Sequence, residues 1–496
     1  MIRIRDLWDG NTRKHFAFAL LLGLLLRLFF VIYVPFEDVD FDLYNEIGQN
    51  VVKIHAYAYD TNDGPISTDV RVPGYPLFLG AVYLFFGNSH RAVLIAQAFV
   101  DLGTCVLVAI LAASLAPDRS RKRVGIAALW LAATCPFVAN YAADGMTEVL
   151  ATFFSAAALL FLVWAQQSES EPNGAATRES AARKLSPGWL WFLSGVIVGL
   201  GSLVRPETPV ILIAPAVVLV AQWYRPVNWG RLARAGLLLA AGVVVPLMPW
   251  AARNWITLHK VQLLTDRYFD LGDAYIPVGF YAWTHTWTYS YSDVDGIFNK
   301  MDNAPLEITD FPPYAFDSAE ERERVGVLLN AQHNDSLSLS PEADAQFSEL
   351  ARERTARHPV RTYVTVPFRR VLTLWFTPRT ELLPYVGNWW PPQAQWESSH
   401  EDFLVGVIFT MLNYLYAGLA LAGAFIMRKR RGVALVVVFI VARTVFIAFE
   451  HFTVEPRFVL QCVPAVLALA ALVWVRRRDR ESSGAQEEIA PAATAN

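Results

Sequence analysis

The chain has 496 residues, of which 54% are hydrophobic and 18% charged, against about 25% charged in an ordinary soluble protein. That balance excludes a soluble globule of this length, and the net charge of −3 singles out no charged partner, nucleic acid included. The three cysteines, Cys105, Cys135 and Cys462, all fall in apolar stretches and show neither a disulfide framework nor metal-ligand spacing.

Apolar runs predict ten membrane spans, at 16–34, 92–116, 124–140, 147–166, 187–204, 207–224, 235–252, 403–427, 433–450 and 457–475. At ~1.5 Å per residue, such runs cross a ~30 Å hydrocarbon layer. The first follows a basic N-terminus and lacks a small-residue cleavage site, so it reads as an uncleaved span. Segment 73–87 is shorter and broken by Pro73-Gly74 and Pro76, and reads as an interfacial or re-entrant helix packed on protein. The basic clusters test the count: Arg3/Arg5/Arg13/Lys14, Arg119/Arg121/Lys122/Arg123, Arg178/Arg183/Lys184, Arg225/Arg231/Arg234, Arg428–Arg431 and Arg476/Arg477/Arg478/Arg480. With ten spans, all of them fall on one side, which the positive-inside rule makes cytoplasmic along with both termini.

The expected architecture is therefore an all-α polytopic membrane protein. Its N-terminal transmembrane module covers 1–254 and includes a first outer loop at 35–91. A non-cytoplasmic mixed domain covers 255–402, C-terminal spans 403–475, and a disordered cytoplasmic tail 476–496. Within the outer domain, 318–332 and 341–357 read as charged amphipathic helices and 362–377 as an interfacial one. Trp283, Trp287, Trp375, Trp389, Trp390 and Trp396 read mainly as an aromatic belt at the membrane surface, with sugar stacking as the alternative.

Outside the basic clusters, the unusual charges gather at the predicted outer ends of spans. After the first comes Pro35-Phe-Glu-Asp-Val-Asp-Phe-Asp-Leu-Tyr44. Its acids Glu37, Asp38, Asp40 and Asp42 repel one another, so some titrate abnormally or hold a cation, and either behaviour suits a general base. A solvated acidic loop is the bland alternative. Asp144 and Glu148 straddle the entrance to the fourth span; Glu148 lies in an apolar run, where an ionisable group points to function. The alternative there is an acidic first turn favoured by the helix dipole. Arg71 precedes Pro73-Gly-Tyr-Pro76, Arg205-Pro206-Glu207 separates two spans, Arg253-Asn254 ends another, and Glu455-Pro456-Arg457 opens the last. Each arginine alone reads equally as an interfacial anchor. Together, four guanidinium forks at one face match the oxygens of a lipid phosphate.

These residues resemble the bacterial membrane glycosyltransferases of the GT-C fold, in the protein-mannosyltransferase and aminoarabinose (lipid A) transferase branch. The resemblance rests on Asp40-Phe-Asp-Leu-Tyr44-Asn-Glu-Ile, Arg71-Val-Pro-Gly-Tyr-Pro-Leu-Phe-Leu79, Glu148-Val-Leu, Leu203-Val-Arg-Pro-Glu207, Pro249-Trp-Ala-Ala-Arg-Asn254 and Glu455-Pro-Arg-Phe458. It implies an enzyme of the bacterial plasma membrane that moves a sugar from a polyprenyl-phosphate donor to an envelope acceptor (lipid, protein or glycan) on the periplasmic side, with inversion. Asp40 matches the base, with Asp42 as runner-up, and Glu148 the second acidic position. Tyr44, Arg71, Asp144, Arg205, Glu207, Arg253, Glu455 and Arg457 then bind substrate. No cofactor is called for, a divalent cation at the acids aside. Arg71 replaces a lysine of the aminoarabinose branch in a shifted register, and ten spans are fewer than that branch has.

Two other classes compete. A flippase of lipid-linked sugars predicts charges through the bilayer midplane, where only Arg27, Asp101 and Arg443 stand; these also read as helix–helix pairs. An assembly subunit without chemistry does not call for clustered carboxylates.

Overall fold

The computed structural model describes residues 12–33, 39–169, 186–223, 228–265, 275–330, 339–385, 387, 389–451 and 454–476. Its helices are α1 (Thr12–Tyr33), α2 (Val39–Lys53), α3 (Gly74–Phe86), α4 (His90–Leu115), α5 (Arg121–Ala133), α6 (Pro136–Ala139), α7 (Glu148–Glu169), α8 (Pro187–Ser202), α9 (Ile213–Trp223), α10 (Trp229–Leu258), α11 (Val278–His285), α12 (Tyr291–Asn303), α13 (Ala319–Asn330), α14 (Pro341–Arg357), α15 (Val366–Phe376), α16 (Pro392–Ser398), α17 (His400–Ile426), α18 (Arg431–Glu450) and α19 (Val463–Ala470). Between α2 and α3, β1 (Ala58–Thr61) and β2 (Gly64–Ser67) pair antiparallel, Ala58 opposite Ser67 and Thr61 opposite Gly64. Gly64 turns the hairpin at φ +112°, a backbone region closed to residues with a Cβ.

Every predicted span has a helical counterpart. Among the described residues seven helices are long and apolar enough to cross a membrane, and the pair Asp118–Ala133 and Pro136–Ala143, bent by 54°, makes an eighth if taken as one span. The predicted spans 187–204 and 207–224 are the shorter apolar helices Pro187–Ser202 and Thr208–Ala221. Length and composition thus carry seven or eight spans, and ten remains an expectation. Segment 73–87 is α3, a 13-residue apolar helix.

The chain divides into two compact units, one of 1–265, 378–442 and 460–496, the other of 266–377 and 443–459. In the first, α8 and α10 cross at backbone distance. A Cβ on Gly195 would lie 2.2 Å from the Leu239 carbonyl oxygen, and one on Gly242 2.2 Å from that of Phe192. Small residues permit this approach where lipid supplies no hydrophobic drive between helices. Arg27 of α1 and Asp101 of α4 are fully buried and pair at 2.7 Å. The remaining Arg27 donors reach the carbonyls of Gly23 and Ala133, each at 2.9 Å, and the Cys105 sulfur. Two of the three charges read from the sequence as intramembrane exceptions are therefore spent on one another; the third, Arg443, donates to the Phe458 carbonyl at 3.3 Å.

In the second unit the core forms around Phe280, Trp283, Trp287, Phe311 and Phe347. This corrects the aromatic-belt reading for Trp283 and Trp287, which are enclosed between α11, α14 and the loop at Phe311 rather than held at a surface. Asp344 closes the N-terminus of α11, accepting from the amides of Gly279 (2.9 Å) and Phe280 (2.8 Å). Arg354 is buried between Glu321 and Asp317, and Arg361 donates to Asp317 at 2.9 Å. Burial alone would raise the Asp317 carboxyl, but the Arg361 hydrogen bond and the Arg354 charge outweigh it and hold the group below its ordinary value.

Two predictions follow from these buried charges. Removing only one partner of the Arg27–Asp101 pair strands the other in apolar surroundings, at a cost of about 3–5 kcal/mol. Asp101→Leu is therefore expected to lower the melting temperature in detergent much more than Asp101→Leu combined with Arg27→Leu. For Asp317, a depressed folded-state pKa adds stability that is present above the unfolded value and lost as pH falls through the folded one. Acidification through and below the ordinary carboxylate range is expected to speed amide hydrogen exchange in 319–357, and Asp317→Asn to blunt that dependence.

Candidate active site

The acid run that follows the first predicted span leads into α2. Glu37 and Asp38 lie outside the described residues. Asp40 is the second residue of α2, with only its backbone described, and Asp42 is exposed. The period of α2 turns Phe41, Tyr44 and Ile47 inward. The Tyr44 ring meets the edge of Tyr75 at 5.2 Å, and the Arg71 guanidinium lies 5.1 Å from its centroid.

Arg71-Val-Pro-Gly74 runs into α3 against the end of α8. The Gly74 amide donates to the Leu203 carbonyl at 2.6 Å, and a Cβ on Gly74 would lie 2.5 Å from that oxygen. Glycine is required there for close approach. Two residues beyond Leu203 stands Arg205, whose Nη1 pairs with Glu148 at 2.7 Å and whose Nε pairs with Glu207 at 2.8 Å. Glu148 begins α7 and is 2% exposed: it is a first-turn acid of the kind the helix dipole favours, buried and paired with Arg205. Asp144 is buried just upstream. Its backbone carbonyl accepts from Gln97 of α4 (2.7 Å), and Gln97 in turn accepts from the Tyr75 hydroxyl (2.8 Å). The charges of Asp144 and Glu148 both reach the Tyr75 and Tyr141 hydroxyls.

Arg253, near the end of α10, directs Nη1 to the Thr68 carbonyl (2.7 Å) and Nη2 to the Tyr57 carbonyl (2.6 Å). It also lies over the rings of Tyr57 and Trp250. The Tyr57 hydroxyl donates to the Arg71 carbonyl at 2.8 Å. Burial pushes that hydroxyl well above its ordinary value, Tyr44 adds to the rise, and Arg253 and Arg71 oppose it; it remains a donor at neutral pH. Beside Arg253 opens a cleft of about 570 Å³, with Leu77, Leu203, Pro246, Pro249 and Trp250 among its apolar walls and His55, Tyr57, Ser67, Arg253 and Thr257 on its polar side.

Tyr44, Arg71, Asp144, Glu148, Arg205, Glu207 and Arg253 are thus tied together within the first unit. Glu455 and Arg457 belong to the second, where they form an ion pair with one another. Sequence reasoning missed Gln97 and Glu381. Glu381 accepts from the Tyr141 hydroxyl at 2.8 Å, and Tyr141 feels its charge together with those of Glu148 and Asp144. The signal for Gln97 was a polar side chain within an apolar span; for Glu381 it was an acid between Thr380 and Leu382. Among the described residues no group of three or more His, Cys, Asp or Glu side chains is placed to hold a metal ion.

No family model matches the sequence, and no curated protein matches it. Among solved structures, the chain is similar to the archaeal oligosaccharyltransferase AglB from Archaeoglobus fulgidus, solved with an inhibitory peptide and a dolichol-phosphate. The identity is 13%, over 92% of this chain and 49% of that one, with a TM-score of 0.49. It is also similar to ArnT from Cupriavidus metallidurans bound to undecaprenyl phosphate, with 14% identity over 93% and 77% of the two chains and a TM-score of 0.37. The chain spans about half the length of the archaeal enzyme it matches.

The two-carboxylate grip on Arg205 yields a prediction. Arg205→Ala leaves Glu148 as a buried charge without its cation and is expected to cost about 3–5 kcal/mol. Pairing it with Glu148→Gln should recover most of the loss, read as melting temperature in detergent; no recovery would mean that Arg205 acts elsewhere.

Proposed function

We propose that this chain is an inverting glycosyltransferase of the plasma membrane that takes a polyprenyl-phosphate-linked sugar and transfers it to an envelope acceptor on the non-cytoplasmic side. The observation that carries the reading is the joining of Arg71, Arg205 and Arg253 with Asp144 and Glu148 through Tyr44, Tyr57 and Tyr75, beside an apolar-walled cleft. A lipid-linked donor needs that combination: apolar surface for the chain, and cationic donors where its phosphate ends.

In the reaction, an acceptor hydroxyl oxygen bonds to the anomeric carbon as the bond from that carbon to the phosphate oxygen breaks on the opposite face. The bonding electrons leave with the lipid phosphate, so guanidinium charge can take the place of a general acid. Arg253 is assigned to that anion, with Arg71 and Arg205 in support; Arg457, read from the sequence for the same role, lies in the other unit. Arg253 gives both Nη groups to hairpin carbonyls, which also fixes the first outer loop against the cleft. The acceptor proton passes to Asp40, with Asp42 as the alternative, a contribution of ~10²–10⁴-fold; Glu148 is the second acid, held by Arg205. A divalent cation, if used, falls to the first-loop acids. The flippase reading loses support from Arg27 and Asp101, which neutralise one another away from any solvent.

The test is a transfer assay with purified full-length chain and a labelled polyprenyl-phosphate sugar. Asp40→Asn is expected to abolish transfer while lipid-phosphate binding persists. Undiminished turnover in the variant would remove Asp40 from the mechanism, and absence of transfer by the unaltered chain across donors and acceptors would remove the enzyme.

A further inference from the structure

The segment from Val360 to Phe376 in the second unit is amphipathic in an unusual sense. Thr362, Val366, Arg370 and Leu374 are buried at four-residue spacing. The opposite side carries Val360, Val364, Phe368, Leu372 and Phe376, 41 to 67% exposed, with Tyr363 beside them. A solvated helix would place charge there; this face has Arg369 alone at its edge, stacked on Tyr289. In an α-helix a four-residue step overshoots a turn by about 40°, which would wind such a stripe around the axis. Residues Arg361–Thr365 form a π turn, and its wider turn takes up part of that drift.

What holds the buried face gives the segment its level. Trp375 donates to Thr444 at 3.0 Å, and Arg370 donates to the carbonyls of Ala448 (3.2 Å) and His451 (3.1 Å). Leu374 packs with Ile447, Val454 and Phe458. These partners are the final turns of α18, a helix of membrane length, and the residues just past its end. A helix fastened there runs at the depth where a span leaves the hydrocarbon layer.

We propose that Val360–Phe376 is a membrane-surface helix whose exposed apolar face, Val360, Val364, Phe368 and Leu372, is immersed in the lipid at the end of α18, a docking surface for the bilayer itself. In-plane helices of this type sink about 5–10 Å into the headgroup and acyl boundary. With a single arginine at its rim, the contact is driven by apolar burial and is insensitive to salt. The inference is independent of the glycosyltransferase reading.

The test uses the full chain reconstituted in phosphatidylcholine/phosphatidylglycerol vesicles, with nitroxide labels at Val364→Cys, Phe368→Cys, Leu372→Cys and Arg369→Cys in turn. The ratio of oxygen to nickel-chelate accessibility is expected to be severalfold higher at 364, 368 and 372 than at 369, and unchanged in high salt. Nickel access at 368 and 372 equal to that at 369, or exclusion of both reagents by a protein partner or second copy, would overturn the proposal. A photoactivatable phosphatidylcholine in the same vesicles tests the unsubstituted chain: adducts on 360–376 are expected, and their absence while α18 is labelled would refute it.

Discussion

The hydrogen bond from the Gly74 amide to the Leu203 carbonyl brings two distant stretches of chain to backbone contact, and the candidate site depends on that contact. No side chain fits between them. With the two backbones locked, Arg71 and Tyr75 on one strand of the contact and Arg205 and Glu207 on the other have fixed places. The Tyr44 ring then fills the space between Arg71 and Tyr75, and the hairpin is drawn in through Tyr57 and Arg253. A loop that the sequence leaves unconstrained becomes a wall of the site because its carbonyls are the acceptors for an arginine on α10.

The same economy governs charge throughout the molecule. An isolated ion in apolar surroundings is costly, and the deeply buried guanidinium groups meet fixed acceptors. Arg27 has Asp101 and carbonyls; Arg354 has Glu321 and Asp317; Arg370, among the described residues, has carbonyls and the His285 ring. Arg205 differs in kind, because it serves two carboxylates, Glu148 and Glu207, at the edge of a cleft-bearing region. Asp144 and Glu381 reach the same region through Tyr75 and Tyr141.

Much of this was legible in the sequence, for identifiable reasons. Apolar runs located every span-like helix, because hydrophobicity over some 20 residues is a one-dimensional signal. Arg71, Glu148, Arg205 and Arg253 stood out because a charge beside an apolar run is costly wherever the chain goes. Glu381 did not, since its importance comes from a contact with Tyr141 across 240 residues. Nor did the return of 443–459 to the unit formed by 266–377, which cuts α18 between its membrane-like body and its final turns. Trp283 and Trp287 were misplaced for a related reason. Composition cannot distinguish a tryptophan at a lipid surface from one in a compact core, and here Glu321 supplies the partner that the Trp283 indole needs in order to be buried.

The cleft and the membrane-surface helix bear on one physical requirement. A polyprenyl phosphate keeps its anion at headgroup depth and its chain in hydrocarbon, so an enzyme for it must hold its arginines at that level rather than in bulk water. In the first unit Arg253 sits near the C-terminal end of α10, beside a cleft walled by the prolines and tryptophan of the same helix. In the second unit Arg370 clasps the chain beyond α18 to α15, and Glu455 and Arg457 follow within a few residues. On the proposed reading, the first unit thereby sets Arg253 relative to the end of a span. A site built from span ends stays in register with its lipid substrate because the bilayer itself fixes the depth of both.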